Sequence, residues 1–187
     1  MDMLIVESGA KSKTIQKYLG KSWIVAACNG HVQDLPTSRE TKDGKKAMWA
    51  STPDKLPNPP WEWTDKSERT IGNLLSKASD SNVENVYIAT DLDREGEFIA
   101  WRLFEIFTGN GFKNVWRITF NEITKSAVQA AIDARGDVNQ NLVSAAKVRR
   151  FMDRLVGFRS SKFSRSWSLP AMGRVQTPTL GFIVDKE

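Results

Sequence analysis

Asp91, Asp93 and Glu95 stand at alternate positions directly after an apolar run at 83–90 and directly before a helical pattern, with Glu97 next. Three carboxylates this close repel one another unless protons or cations offset their charge. An all-oxygen donor set favours Mg²⁺, which keeps several waters and bridges carboxylates to phosphate oxygens. The string is also similar to the start of a calcium-binding EF-hand loop. That loop needs a bidentate glutamate at its twelfth position, which here is Arg102. The competing reading is an acidic helix start, since carboxylates favour the positive end of the helix dipole. It accounts for Glu95 and Glu97 better than for Asp91 and Asp93.

Glu7 follows an apolar run at 4–6 in the same way. Gly9 permits a tight turn, and Lys11 and Lys13 open a helical pattern whose first N–H groups suit a phosphate. A glutamate at a strand end is ordinarily just solvated, so Glu7 gains weight only in company. His31, the only histidine, follows Asn29-Gly30 at the end of the run at 23–28. It is equally readable as a ligand contact or as a packed, turn-stabilising residue.

These residues need elements to hold them. The pattern predicts strands at 4–6, 23–28, 83–90 and 115–120. Helices are predicted at 11–19, 65–77, 95–107 and 124–134. Residues 36–60 read as a loop, with Pro53, Pro57, Pro59 and Pro60 blocking regular structure. Trp61 and Trp63 alternate, so one face of a short strand belongs to the core. Strands separated by helices imply βαβ units and a mainly parallel sheet. Such sheets bind ligands beyond the carboxyl ends of their strands, where Glu7, His31 and the 91–95 string all fall. A boundary is expected near 135–137, followed by one helix over 142–158 and another that Thr177 caps and Pro178 begins.

Charge divides at the same place. Residues 136–187 hold nine Lys+Arg against four Asp+Glu, and residues 1–135 hold eighteen of each. The whole net charge of +5 therefore lies in the last quarter, the footprint of a polyanion partner or a solvated helix face. The longest apolar run, at 23–28, is too short to span a membrane, and no secretory leader is visible. Cys28 stands alone, which excludes a disulfide framework and a Cys-x-x-Cys zinc site within these residues. A reducing cytoplasm is the expected location.

Six ordered motifs resemble those of type IA DNA topoisomerases. They are Val6-Glu7-Ser8-Gly9-Ala10-Lys11, Gly30-His31 with Asp34-Leu35-Pro36, and Asp91-Leu92-Asp93-Arg94-Glu95-Gly96. Then come Asn121-Glu122-Ile123-Thr124, Arg149-Arg150-Phe151-Met152-Asp153-Arg154, and Gly173-Arg174-Val175-Gln176-Thr177-Pro178. The third is the signature of the Toprim domain. The resemblance implies an α/β fold: a Toprim domain at 1–135, Rossmann-like with a mainly parallel four-stranded sheet flanked by helices. A partial, mostly helical segment at 136–187 would begin the DNA-binding domain. Gly9 departs from the family's usual proline, at a cost in rigidity rather than chemistry.

The resemblance also implies roles. In the family a tyrosine attacks a single-strand phosphodiester, becomes linked to the 5′-phosphate, and the 3′-hydroxyl later reseals the strand. Glu7 would be the acid/base near the 3′-oxygen, and Lys11 would stabilise phosphoryl charge. Arg94 is ambiguous between catalysis and pairing with a carboxylate. Asp91, Asp93 and Glu95 would hold Mg²⁺. His31, Arg149, Asp153, Arg174 and Gln176 would contact single-stranded DNA. Arg149 and Asp153 are four apart on one helix, so an ordinary surface pair worth about 0.3–0.5 kcal/mol is the alternative there. For Arg174 and Gln176, before a helix start, it is plain loop polarity.

The family's tyrosine lies well beyond the Gly-Arg-Val-Gln motif, whereas the tyrosines here are Tyr18 and Tyr87, neither in a matching motif. The expectation is a fragment inactive alone, partnered by DNA and the remaining topoisomerase domains and nucleoid-associated in the cytoplasm. The alternatives are a self-sufficient Toprim nuclease or primase-like enzyme, and a non-catalytic DNA-binding module.

Overall fold

In β1 (Asp2–Val6) and β5 (Asn85–Ala89) every second side chain faces the same way. Met3, Ile5, Val86 and Ile88 enter one core, while Leu4, Val6, Tyr87 and Ala89 enter another. Both faces are apolar, so the pair must lie in the middle of a covered sheet. They pair in parallel, Val6 opposite Ala89, and are flanked by β2 (Trp23–Ala27) and β6 (Asn114–Arg117). The sheet is four-stranded and wholly parallel, in the order β2-β1-β5-β6. This computed structural model describes residues 1–36, 61–170 and 172–186. The loop expected at 36–60 lies outside them from residue 37 onward.

Helices cover both faces. α1 (Gly9–Leu19) and α4 (Lys125–Asp133) bring Ile15 and Val128, Ala131 and Ile132 to one. α2 (Ser67–Asp80) and α3 (Arg94–Gly109) bring Ile71, Leu74, Phe98, Leu103 and Phe107 to the other. Phe98 and Phe107 are fully buried, and truncating such a side chain costs about 3–5 kcal/mol. Trp61 packs edge-on against Phe98 at 5.2 Å and Trp101 at 5.9 Å. The strand it directly precedes, β4 (Glu62–Trp63), forms a two-stranded antiparallel sheet with β3 (Gln33–Asp34). Its partner β3 is too short to leave a sequence pattern.

Two compact units result. The first comprises Met1–Asp34 with Trp61–Ala146, and the second holds the other described residues. By packing, the first unit runs on past residue 135. Arg117 and Gly136 exchange backbone hydrogen bonds of 2.8 and 2.9 Å, pinning the connecting segment beside β6. Asn139 then accepts from Asn141 N–H and Leu142 N–H at 3.0 and 3.2 Å, starting α5 (Gln140–Ser166), whose Val143 and Ala146 are buried in the first core. α5 is longer than the predicted 142–158 because no proline interrupts it before Pro170.

The second unit has its own polar fastenings. Arg154 donates to the Pro36 and Leu35 carbonyls at 3.0 and 3.4 Å, and the Ser164 hydroxyl donates to the Pro170 carbonyl at 2.6 Å. α6 (Gln176–Val184) starts earlier than expected, with Val175 at the cap position. Thr177 is not the cap: its hydroxyl accepts from Gly173 N–H at 3.2 Å from within the first turn.

Candidate functional site

The chain leaves β1 toward β2 on one side and β5 toward β6 on the other. The crevice beyond the carboxyl ends of β1 and β5 is therefore the switch point of the sheet, where open α/β folds place ligands. Glu7 follows β1 and Asp91 follows β5. Parallel register brings them together: Asp91 N–H donates to Glu7 Oε1 at 3.0 Å. Ser8 caps α1 by accepting from Lys11 N–H at 3.4 Å, and this first turn directs the Lys11 ammonium onto the Asp91 carboxylate.

The two carboxyls are pushed apart electrostatically. Burial, the larger influence, raises Glu7 above the ordinary carboxylate range, and the Asp91 charge acts in the same direction. The hydrogen bond from Lys11 holds Asp91 below that range. A carboxyl raised by burial beside one lowered by a lysine is an arrangement on which an acid/base division of labour can be built.

Asp93 caps α3, accepting from Gly96 N–H at 2.7 Å. Glu95, in the first turn, has its Oε2 3.7 Å from Nε2 of His31. His31 also meets the Phe98 ring edge-on at 6.5 Å, so packing and site contact coexist there. Arg94 opens α3 and is exposed. Asp91, Asp93 and Glu95 thus occupy one strand-to-helix turn but have different partners. Among the described residues, no three acidic, histidine or cysteine side chains form a preassembled metal-binding group. The chemistry of the donor set does fit an oxygen-liganded dication. The lysine ammonium on Asp91 shows that the turn already receives a cation.

The turn is held from beneath by residues to which the sequence reading gave no role at the site. A Cβ at Gly96 would lie 2.2 Å from the Asp91 carbonyl oxygen, so only glycine lets α3 pack this closely on the acidic turn. The buried Thr90 hydroxyl donates to the Gly96 carbonyl at 2.6 Å. Arg117 and Glu97 form an ion pair at 2.9 Å, with side chains 3% and 4% exposed. The available signal was an arginine inside the apolar run 115–120.

The second unit assembles the other expected cluster. Asp153 accepts from Arg174 Nη2 at 3.1 Å and pairs with Arg174 Nε at 2.7 Å, and Arg149 Nε lies 3.8 Å away. One carboxylate thus orients two guanidinium groups, more than the simple i,i+4 pair. Gln176 falls inside the first turn of α6 and is exposed.

Comparison with known proteins identifies the family. Residues 2–123 match the Toprim domain family, and residues 137–187 match the DNA topoisomerase family. DNA topoisomerase 1 of Salmonella typhimurium is 39% identical across 99% of this chain and 24% of its own length. The Vibrio cholerae protein of the same name is 41% identical, again over 99% of this chain and 24% of its own. Full-length topoisomerase I from Thermotoga maritima superposes with a TM-score of 0.69 at 33% identity, covering 86% of this chain and 25% of that one. The chain spans about a quarter of the length of these relatives.

Proposed function

Since the chain belongs to the Toprim family and has the sequence of a type IA DNA topoisomerase N-terminal region, we propose that it supplies the acid–base and cation-binding half of single-strand cutting and resealing. The observation that carries this reading is the juxtaposition at the switch point of the sheet, where Asp91 N–H donates to Glu7 Oε1 at 3.0 Å and the Lys11 ammonium meets the Asp91 carboxylate.

The chemistry runs as a transesterification. A tyrosine hydroxyl supplied from outside these 187 residues gives up its proton to solvent, to be regained on resealing, and attacks the phosphorus as the P–O3′ bond breaks. Glu7 donates its proton to the leaving 3′-oxygen and recovers it when that oxygen attacks the phosphotyrosine to reseal the strand. Lys11 stands beside the phosphoryl oxygens where negative charge accumulates. Asp91, Asp93 and Glu95 would hold Mg²⁺, which when bound offsets phosphoryl charge and positions the 3′-hydroxyl. Arg94 serves the same cluster as a charge partner. Arg149, Arg174 and Gln176, steadied by Asp153, grip single-stranded DNA, with His31 contacting it near the site. The working assembly includes the remaining topoisomerase domains and acts on the cytoplasmic nucleoid.

The test is thermal melting of the chain with and without Mg²⁺. The wild type is expected to gain stability, and Asp91→Asn combined with Asp93→Asn to abolish the gain. Identical responses would remove the metal from the proposal.

A further inference from the structure

Arg117 lies at the end of β6, and nearly all its hydrogen-bonding capacity is used beneath the acidic turn. Its Nε donates to Glu97 Oε2 at 2.9 Å. Its Nη1 reaches the carbonyls of Thr90 at 2.8 Å, Ile118 at 2.8 Å and Ile88 at 3.2 Å, and its Nη2 reaches the Asp91 carbonyl at 3.0 Å. One planar guanidinium therefore fastens the last turn of β5 to β6 and fixes the backbone of Asp91. Glu97 in turn holds the guanidinium, and its other oxygen accepts from Asn139 N–H at 2.6 Å.

A buried ion pair is weak evidence for stability, because desolvating two charges cancels most of their attraction. Hydrophobic residues of similar volume fill such a space as well. What they cannot do is present directed N–H donors to the carbonyls of Ile88, Thr90, Asp91 and Ile118. Position matters at Asp91, because its N–H also sets the Glu7 carboxyl and its side chain meets Lys11.

We propose that Glu97 and Arg117 are positioning residues: together they hold the Asp91 backbone so that its carboxylate is presented to a divalent cation and its N–H to Glu7. The inference rests on the cation-binding reading above. Residues that orient ligands in this way change metal affinity by about 10–100-fold when altered.

The experiment is Mn²⁺ binding to the full 187-residue chain, followed by the electron paramagnetic resonance of the free ion. It is run at a temperature where circular dichroism shows every variant folded. Glu97→Gln and Arg117→Lys are expected to weaken Mn²⁺ binding at least tenfold. Arg117→Lys keeps a charge opposite Glu97, so it carries the test if Glu97→Gln does not fold. Glu105→Gln, on the same helix but paired with Arg102, is expected to bind as wild type does. A purely structural role would lower the melting temperature and leave the affinity of folded protein unchanged. Folded variants within twofold of wild type would therefore overturn the positioning role alone. A wild type that binds no Mn²⁺, or an Asp91→Asn variant that binds it equally well, would overturn the cation-binding reading and this inference with it.

Discussion

Asp93 offers a way to separate structure from chemistry at the acidic turn, because its carboxylate caps α3 through the 2.7 Å bond from Gly96 N–H. Asparagine caps a helix about as well as aspartate, whereas alanine loses about 1 kcal/mol, within a range of about 0.5–2. For a chain of this size each kcal/mol moves the melting temperature by about 2–4 °C. Asp93→Ala is therefore expected to melt about 2–4 °C lower, and Asp93→Asn within about a degree of wild type. Binding of Mg²⁺ at a hundred times its dissociation constant adds about 2.7 kcal/mol. At the same conversion that raises the wild-type melting temperature by about 5–10 °C. Both variants lose a charged ligand, so both are expected to show a reduced Mg²⁺ shift, by similar amounts. Calorimetric scans of the three proteins in EDTA and in Mg²⁺ give all six values. If asparagine proved as destabilising as alanine, the cap would not be Asp93's structural contribution. If asparagine kept the full Mg²⁺ shift, Asp93 would not be a ligand.

Cys28 is 2% exposed and its thiol is pushed up to about 11 by burial. At pH 8 it should therefore hold its proton and react with a disulfide reagent at least roughly a hundredfold more slowly than in urea-unfolded chain; comparable rates would contradict its burial. Arg149→Ala is expected to weaken binding to all single-stranded oligonucleotides alike. It should also flatten the slope of log affinity against log salt by about 0.7, while Arg69→Ala does neither. Fluorescence anisotropy across a salt series measures both, and equal losses would mean the groove is misplaced. The chain alone is expected to relax no supercoiled plasmid. The Tyr18 hydroxyl donates to the Ile123 carbonyl at 3.3 Å, and Tyr87 is 5% exposed against Trp23. A relaxation ladder or a phosphotyrosine adduct at either residue would contradict that.

What could be read without coordinates was whatever the chain repeats locally. The apolar runs at 4–6 and 83–90, separated by helical patterns, announced a mainly parallel sheet, and that sheet placed Glu7 and Asp91 at neighbouring strand ends. Motif resemblance added roles that spacing alone left open. The Arg117–Glu97 pair escaped because its members are twenty residues apart and only the packing of α3 against β6 joins them. Glu97 looked like any acid in a first helical turn. Arg174 was legible as basic but not as the ion-pair partner of Asp153, since the two are joined by a connection without regular pattern. The start of α6 was misjudged because Pro178 suits a first turn at more than one position, and the helix takes it two residues in.

The most direct test of the central claim replaces the matching N-terminal residues of Vibrio cholerae DNA topoisomerase 1 with this chain and follows plasmid relaxation in Mg²⁺. The chimera is expected to relax negatively supercoiled plasmid only when Mg²⁺ is present, and to lose relaxation with Glu7→Gln or with Asp91→Asn plus Asp93→Asn while still binding single-stranded DNA. A folded chimera that binds DNA yet does not relax it, or one whose relaxation survives those substitutions undiminished, would contradict the assignment of acid–base and cation-binding chemistry to this chain.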